Sequence, residues 1–288
     1  MAAFIILAHR NPEQVARLAK RLAPHYVFIH IDSKLDDATY DEFFQLLKDS
    51  AHVKFITRHR SAWASWGIVK AALEGIKAAL SFNDWSHVMV LSGQDYPLMS
   101  SAQMEVFFND HIDKSFVLHW HLPCPLWGKD GGDYRTRFWH TPFRGKRFFL
   151  PIARKQPDEI KHVGGPMFSC LNREMAKEVA TFADRKPKIA NFYRNVWIPD
   201  EMYIPTVVMN SIYKDSVVNE ALTYIRWSNP GSPHPDELTI NDLTELICAS
   251  NYGSSIGGYA RRKLFARKVY MENQSELLDL LDQVALTD

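Results

Sequence analysis

The sequence predicts an α/β fold, a doubly wound and mostly parallel sheet flanked by helices. Three observations carry that expectation. Short apolar runs alternate with amphipathic helical segments through the N-terminal third, in the order of βαβ units. The run His87-Val88-Met89-Val90-Leu91 is almost wholly apolar, as a strand covered on both faces must be. At 288 residues, 46% hydrophobic and 23% charged, the chain can bury a large core within one elaborate domain.

The first strand is read at Phe4–Ala8. Asn11-Pro12-Glu13-Gln14 then offers a cap, a proline at N1 and a glutamine at N3, and Val15, Leu18, Ala19 and Leu22 share one helical face. A second strand, Tyr26–Ile31, ends at Asp32, and Asp36-Asp37 reads as a helix cap. A third, Val53–Ile56, leads through Arg58-His59-Arg60 to Trp63-Ala64-Ser65-Trp66 and a helix with Val69, Ala72, Leu73, Ile76 and Leu80 inward. The fourth runs into Ser92-Gly93-Gln94-Asp95-Tyr96-Pro97. Such sheets bind ligands beyond the carboxyl ends of their strands. His9, Asp32, Arg58, Trp63 and the Gln94-Asp95 loop all fall there; each alone reads as a turn residue, and together they outline a cleft.

From His119 to Arg154 the chain is aromatic and basic, including Trp120, Trp127, Arg135, Trp139 and Arg147. Carbohydrate, single-stranded nucleic acid and a packed surface loop all suit that composition. Gly164-Gly165-Pro166 reads as a tight turn, or as a close approach of backbone to ligand, before a strand at Met167–Leu171 and a helix capped by Asn172. Next comes Trp197-Ile198-Pro199-Asp200-Glu201. With Asp200 as N-cap, Glu201 is the first residue of a helix reaching to about Ser211, and a carboxylate fixed there can take a proton. The same residues also read as a cap and a dipole partner with no chemistry. Leu222–Trp227 reads as a strand, Asn229–Pro235 as a breaker-rich loop, Thr239–Ala249 as a helix and Gly253–Gly258 as a flexible stretch. Five cations crowd Arg261–Lys268, and Ser275–Leu286 reads as an amphipathic helix.

Absences narrow the chemistry. The sequence has neither GxGxxG after the first strand nor GxxxxGK[ST], so dinucleotide and P-loop readings fail. The loop after the fourth strand carries one carboxylate, Asp95, where an Asp-x-Asp would hold a divalent cation on a diphosphate, so no metal is expected. Arginine and lysine can neutralise a diphosphate instead. A net charge of +1 and a pI near 7.8 give nucleic-acid binding no global support. Cys124, Cys170 and Cys248 show no disulfide or zinc spacing, and the first strand follows the N-terminus with no basic leader, so a soluble, cytoplasmic chain is expected.

Taken in order, His30-Ile31-Asp32, Trp63-Ala64-Ser65-Trp66, Leu91-Ser92-Gly93-Gln94-Asp95-Tyr96-Pro97-Leu98, Pro199-Asp200-Glu201, Ile225-Arg226-Trp227 and Leu264-Phe265-Ala266-Arg267-Lys268 resemble the Branch family. This is the family of core-2/I-branching β-1,6-N-acetylglucosaminyltransferases, which includes peptide-O-xylosyltransferases. The resemblance spans nearly the full length. It implies a single GT-A-type nucleotide-sugar transferase domain over residues 1–288, with a nucleotide-sugar half (1–115) and an acceptor and catalytic half (116–288). It implies an inverting, metal-independent transferase that needs no cofactor beyond its UDP-sugar substrate. Glu201 would be the general base. Asp32 and Trp63 would lie at the nucleotide, with His9, Arg58 and Asp95 on the donor side. Lys268 would meet the diphosphate, aided by Arg261, Arg262 or Arg267. Trp227 would line the acceptor pocket, and Gln94, Arg135 and Gly165 are read, from their places in the sequence, beside a glycan or glycolipid acceptor.

The donor implied first is UDP-N-acetylglucosamine, in surface polysaccharide synthesis. UDP-xylose and a non-catalytic carbohydrate-binding role are the alternatives. The animal enzymes carry an anchor and disulfides that this sequence lacks, so a bacterial cytoplasmic relative is the nearer comparison. Peripheral association with the inner membrane face is left open.

Overall fold

Apolar β-strands stack where the sequence places them. Strand β1 (Ala2–Ala8) is buried throughout and pairs in parallel with β2 (Tyr26–Ile31) and β4 (His87–Ser92). Strand β3 (Val53–Phe55) lies parallel beyond β2. The computed structural model describes the whole chain except residues 144–145, 230–231, 233, 252–254, 257–258, 261 and 286–288, and except the side chains of 126, 142–143, 146–147, 255–256 and 259–260.

The second half of the chain completes the same sheet. Cys170–Asn172 lies antiparallel to β4, followed outward by Ser115–Phe116 and Val217–Val218, for seven strands in all. The apolar run expected as a strand from Met167 pairs only from Cys170 onward. One face of the sheet packs on helices α1 (Pro12–Arg21) and α2 (Asp37–Leu47), the other on α3 (Trp66–Leu80) and the helices Arg173–Arg185 and Tyr203–Met209. Gly75 lets α3 seat on β1, because a Cβ there would lie 2.4 Å from Ile5 Cγ2.

Capping follows the sequence in two places and departs from it in two. Asp36 accepts a hydrogen bond from the Thr39 amide and Asn172 one from the Met175 amide, as expected of N-caps. Asn11 instead takes a left-handed backbone (φ 55°) and makes no side-chain cap bond. Gln14, read as its capping partner, is fully buried: its amide donates to the carbonyls of Gly93 and Val269, and its oxygen accepts from the Met271 amide. Asp200 is not a cap either. Ile198, at φ 52°, precedes a single 3₁₀ turn, Pro199–Glu201, and Met202 breaks the path before the helix Tyr203–Met209 begins. Proline at the first position of that turn leaves Asp200 inside it, turned toward the interior.

A second sheet delivers the basic run to the ligand side. Phe265–Arg267 lies between Thr223–Ile225, parallel, and Tyr96–Pro97, antiparallel. Leu264, Phe265 and Ala266 are buried, as a strand between two neighbours requires. The aromatic stretch is ordered as a short strand, Trp120–His121, paired with Val163–Gly164, then a 3₁₀ turn at Pro125–Trp127, a helical turn at Tyr134–Arg137 and a hairpin, Phe138–Phe143 with Lys146–Ala153. The last helix, Met271–Val284, starts before Ser275, and Arg17 of α1 bonds its Asp279 and Asp282. All three cysteines are free, and among the described residues no helix is long and apolar enough to cross a membrane.

Candidate active site

At the carboxyl end of β4 the chain turns through Ser92–Asp95, and Asp95 is fully buried. Its Oδ2 accepts from the Ser92 amide at 2.5 Å and the Ser92 hydroxyl at 2.7 Å. Arg267 Nη1 reaches the same oxygen at 3.3 Å and Ser92 Oγ at 2.7 Å. Burial pushes the Asp95 carboxyl up from its ordinary range, and Arg267 opposes that. Arg267 thus compensates a charge that would otherwise stand alone in the interior.

Beside this pair lies a cluster of cationic groups. Lys268 is half-buried; desolvation lowers its ammonium from the ordinary value, Arg267 and Arg10 lower it further, and Asp95 opposes. His9 reaches the surface. Its imidazole is lowered first by partial desolvation and then by Arg10, with Lys268 and Lys34 adding to the effect and Asp32 opposing. His234 is lowered by desolvation and then by Lys268 and Arg267. The carboxyl ends of β1 and β2 and the edge of the second sheet therefore converge on one concentration of positive charge, with buried Asp32 at its side. Such a cluster, in which Arg10 is also paired with Glu272 at 3.2 Å, favours a polyanion.

Glu201 occupies the neighbouring wall. Its Oε2 accepts from Arg135 Nη1 at 2.6 Å; the glutamate side chain is 36% exposed and the arginine 9%. The Arg135 guanidinium lies 3.6 Å from the centre of the Trp127 ring. The Glu201 carbonyl accepts from the Gly165 amide, and Arg135 O accepts from the Trp197 amide, so backbone bonds hold both partners. Burial, and then the charge of Glu201, push the carboxyl of Asp200 up to about 7. One buried carboxyl that favours its proton thus adjoins one exposed carboxylate.

The segment Gly165–Ser169 links the two halves of the rim. Gly165 holds Glu201, and Phe168 lies under Arg267, whose guanidinium is 4.2 Å from its ring centre. Three residues span at most ~11 Å. A short stretch of backbone therefore joins the Glu201 turn to Arg267.

The remaining candidates take mixed positions. Trp63 stands exposed on the rim, edge-on to Trp197 at 5.4 Å, which ties the loop after β3 to the Glu201 wall. Arg58 turns inward, bonding the carbonyls of Asp32 and Leu35 and the carboxylate of Asp37, so it braces the loop that carries Asp32. Gln94 is buried and its carbonyl accepts from the Val269 amide. Gly165 has no positive φ and forms no glycine turn; a Cβ there would lie 2.2 Å from Leu118 O, so its bareness serves backbone packing. Trp227 is exposed just past Thr223–Ile225, where the following segment packs along Lys268 through the Leu238 amide and the Asp236 carbonyl. Arg262 is exposed, and Arg261 lies outside the described residues.

Arg10, Lys34, Trp197 and His234 join the site without having been singled out in the sequence. Arg10 and Lys34 each adjoin a strand end already marked, which was the available signal. His234 sits in a proline-rich loop that gave none. Among the described residues no group of three or more His, Cys, Asp or Glu side chains could hold a metal ion.

Comparison with known proteins identifies the family. The family model described as Core-2/I-Branching enzyme (Branch) matches residues 2–247. Human xylosyltransferase 1 is 26% identical over 242 residues, covering 78% of this chain and 24% of that protein. Xylosyltransferase sqv-6 of Caenorhabditis elegans is 25% identical over 226 residues, covering 76% and 27% respectively. The β-glucuronosyltransferase GlcAT14B of Arabidopsis thaliana is 24% identical over 255 residues, covering 84% and 55%. The chain thus spans about a quarter of the length of the xylosyltransferases it matches. Among solved structures, HddC of Yersinia pseudotuberculosis aligns at 12% identity over 62% of this chain and 79% of its own, with a TM-score of 0.29, too low to carry an argument. With a match extending over residues 2–247 of 288, the chain belongs to the Branch, or core-2/I-branching enzyme, family.

Proposed function

We propose that this chain is an inverting glycosyltransferase that moves a sugar from a UDP-sugar to a hydroxyl of a glycan acceptor, without a metal ion. Glu201 takes the proton of the acceptor hydroxyl as its oxygen attacks the anomeric carbon from the face opposite UDP. The bond from that carbon to the diphosphate oxygen breaks with its electron pair on the leaving group, and Lys268 offsets the charge, with Arg267 and Arg10 beside it. Asp32, Trp63 and His9 border the nucleotide; Arg135, Trp227 and the Gln94 loop border the acceptor. Trp63 stands on the nucleotide side.

The observation that carries this reading is Glu201: an open carboxylate fixed by Arg135 and Gly165, joined through Gly165–Phe168 to the Arg267 that neighbours Lys268. The metal-free reading is supported by Asp95, the only carboxylate of its loop, which is buried against Arg267 rather than facing the cleft. UDP-N-acetylglucosamine is the donor proposed first. Relatives named for xylosyl and glucuronosyl transfer give UDP-xylose and UDP-glucuronate the next places.

A donor panel scored by thermal shift and then by UDP release tests the proposal, since a bound donor stabilises the fold. Glu201→Gln is expected to lose about 10²–10⁴-fold in turnover while keeping donor binding. Turnover within tenfold of wild type would remove Glu201 from the role of base. Activity is expected to persist in excess EDTA, and strict dependence on added manganese would overturn the metal-free mechanism.

A further inference from the structure

The hairpin Phe138–Phe143/Lys146–Ala153 exposes more apolar side chain than a soluble surface ordinarily does. Phe148, Leu150 and Ile152 alternate along one strand and are 50%, 43% and 62% exposed, and Trp139, paired with Leu150, is 44% exposed. In a paired strand, alternate residues and direct cross-strand partners share a face. The other face is rooted in the protein at His140, while Phe149, stacked on that ring, is 47% exposed. His140 is buried, its amide donates to Asn195 O at 2.9 Å, and its ring lies 5.9 Å from that of Trp197.

Charge selects the partner. Residues 134–157 carry seven Lys and Arg and no Asp or Glu, in a chain whose net charge is +1. Among these, Arg135 pairs with Glu201 and Arg154 donates to the carbonyls of Asn195 and Phe192, while Arg137 and Lys155 flank the hairpin base and are exposed, Arg137 lying 3.8 Å from Asp133. A second copy meeting this face through a two-fold axis would bring like charges together. An exposed aromatic and aliphatic face on a segment rich in cations matches the interface of an anionic bilayer, where rings enter the headgroup region and cations meet lipid phosphates.

We infer that this hairpin seats the protein on an anionic membrane surface. The inference stands on the hairpin alone and needs no transferase activity. Its root does adjoin the Glu201 wall, through Arg135 and Trp197. If the proposed function holds, the acceptor side of the cleft is therefore held at the bilayer, and a lipid-linked glycan is the acceptor class that suits it.

The test is co-sedimentation of the full chain with phosphatidylcholine vesicles, with and without phosphatidylglycerol. Binding to the anionic vesicles is expected at least tenfold tighter than to the neutral ones, and weaker as salt rises. Phe148→Ser/Leu150→Ser/Ile152→Ser should lose at least tenfold, and so should Arg137→Glu/Lys155→Glu, with Tm in solution unchanged as the check on folding. Failure to bind either vesicle, or unchanged binding by both variants, would overturn the inference. So would a concentration-dependent dimer that the triple substitution abolishes, or displacement from vesicles by single-stranded oligonucleotide. UDP release from soluble acceptors is measured separately, so loss of docking and loss of transfer are read apart.

Discussion

Removing the charge of Glu201 should strand Arg135, and that cost can be measured. The pair is 2.6 Å apart, with the arginine 9% exposed and the glutamate 36%. Charges about 4 Å apart at an effective dielectric of about 20 attract by about 4 kcal/mol. Water on the open side of Glu201 screens that to about 1–2 kcal/mol. The two deletions are unequal. In Arg135→Met the glutamate turns to water, and methionine can cover Trp127. In Glu201→Gln the guanidinium keeps only the Trp127 face and a neutral amide. Urea unfolding at low salt should therefore show Glu201→Gln losing about 1–2 kcal/mol, or about 2–5 °C in Tm. The double variant should be no less stable than Glu201→Gln alone. A coupling that shrinks at high salt is expected. Additivity of the two substitutions to within about 0.3 kcal/mol would refute the ion pair as the element that holds the carboxylate.

Three further outcomes follow from the same site. Asp200 carries a folded-state pKa raised to about 7 against an ordinary 3.8, so the folded protein favours its proton and wild-type stability falls as pH climbs through that interval. Asp200→Asn should match wild type near pH 4 and gain on it toward pH 8, by at most about 4 kcal/mol; a gap independent of pH in a series of melting curves would count against the buried carboxyl. Gly165→Ala sets a methyl 2.2 Å from Leu118 O, so it should cost about 1–3 kcal/mol and lower turnover by moving Glu201; wild-type stability and rate would mean the backbone yields freely. Arg267→Met leaves Asp95 without its cation and should cost about 3–5 kcal/mol, partly recovered by adding Asp95→Asn; a loss under about 1 kcal/mol would show that Ser92 alone satisfies that carboxylate.

What could be read in the sequence is what depends on neighbours along the chain. The first four strands, α3 and the caps at Asp36 and Asn172 follow from periodicity and side-chain reach within a few residues. Asp32, His9 and Lys268 were marked because strand ends and a basic run are local features. What escaped depends on contacts across the chain. Gln14 looked like a capping residue and instead joins Gly93 to Val269 and Met271. The basic run was marked for its charge, but that it forms a strand shows only in its pairing with Tyr96–Pro97. Asp200 looked like a cap, and nothing local reveals that Ile198 turns left-handed before it and sends its carboxyl inward. Gly165 was marked for a ligand, while its actual neighbour, Leu118 O, lies far back in the sequence.

The distance along the chain between Asp95 and Arg267 has a bearing on how the protein matures. The two are 172 positions apart, so at ~5–20 residues/s a ribosome makes the aspartate on the order of 10–30 s before the arginine exists. Throughout that interval the carboxylate must stay hydrated, and the Tyr96–Pro97 strand has to wait for its partner, Phe265–Arg267. Nucleotide affinity should accordingly be among the last properties the nascent polypeptide acquires, appearing only when its C-terminal segment threads home against an otherwise finished scaffold.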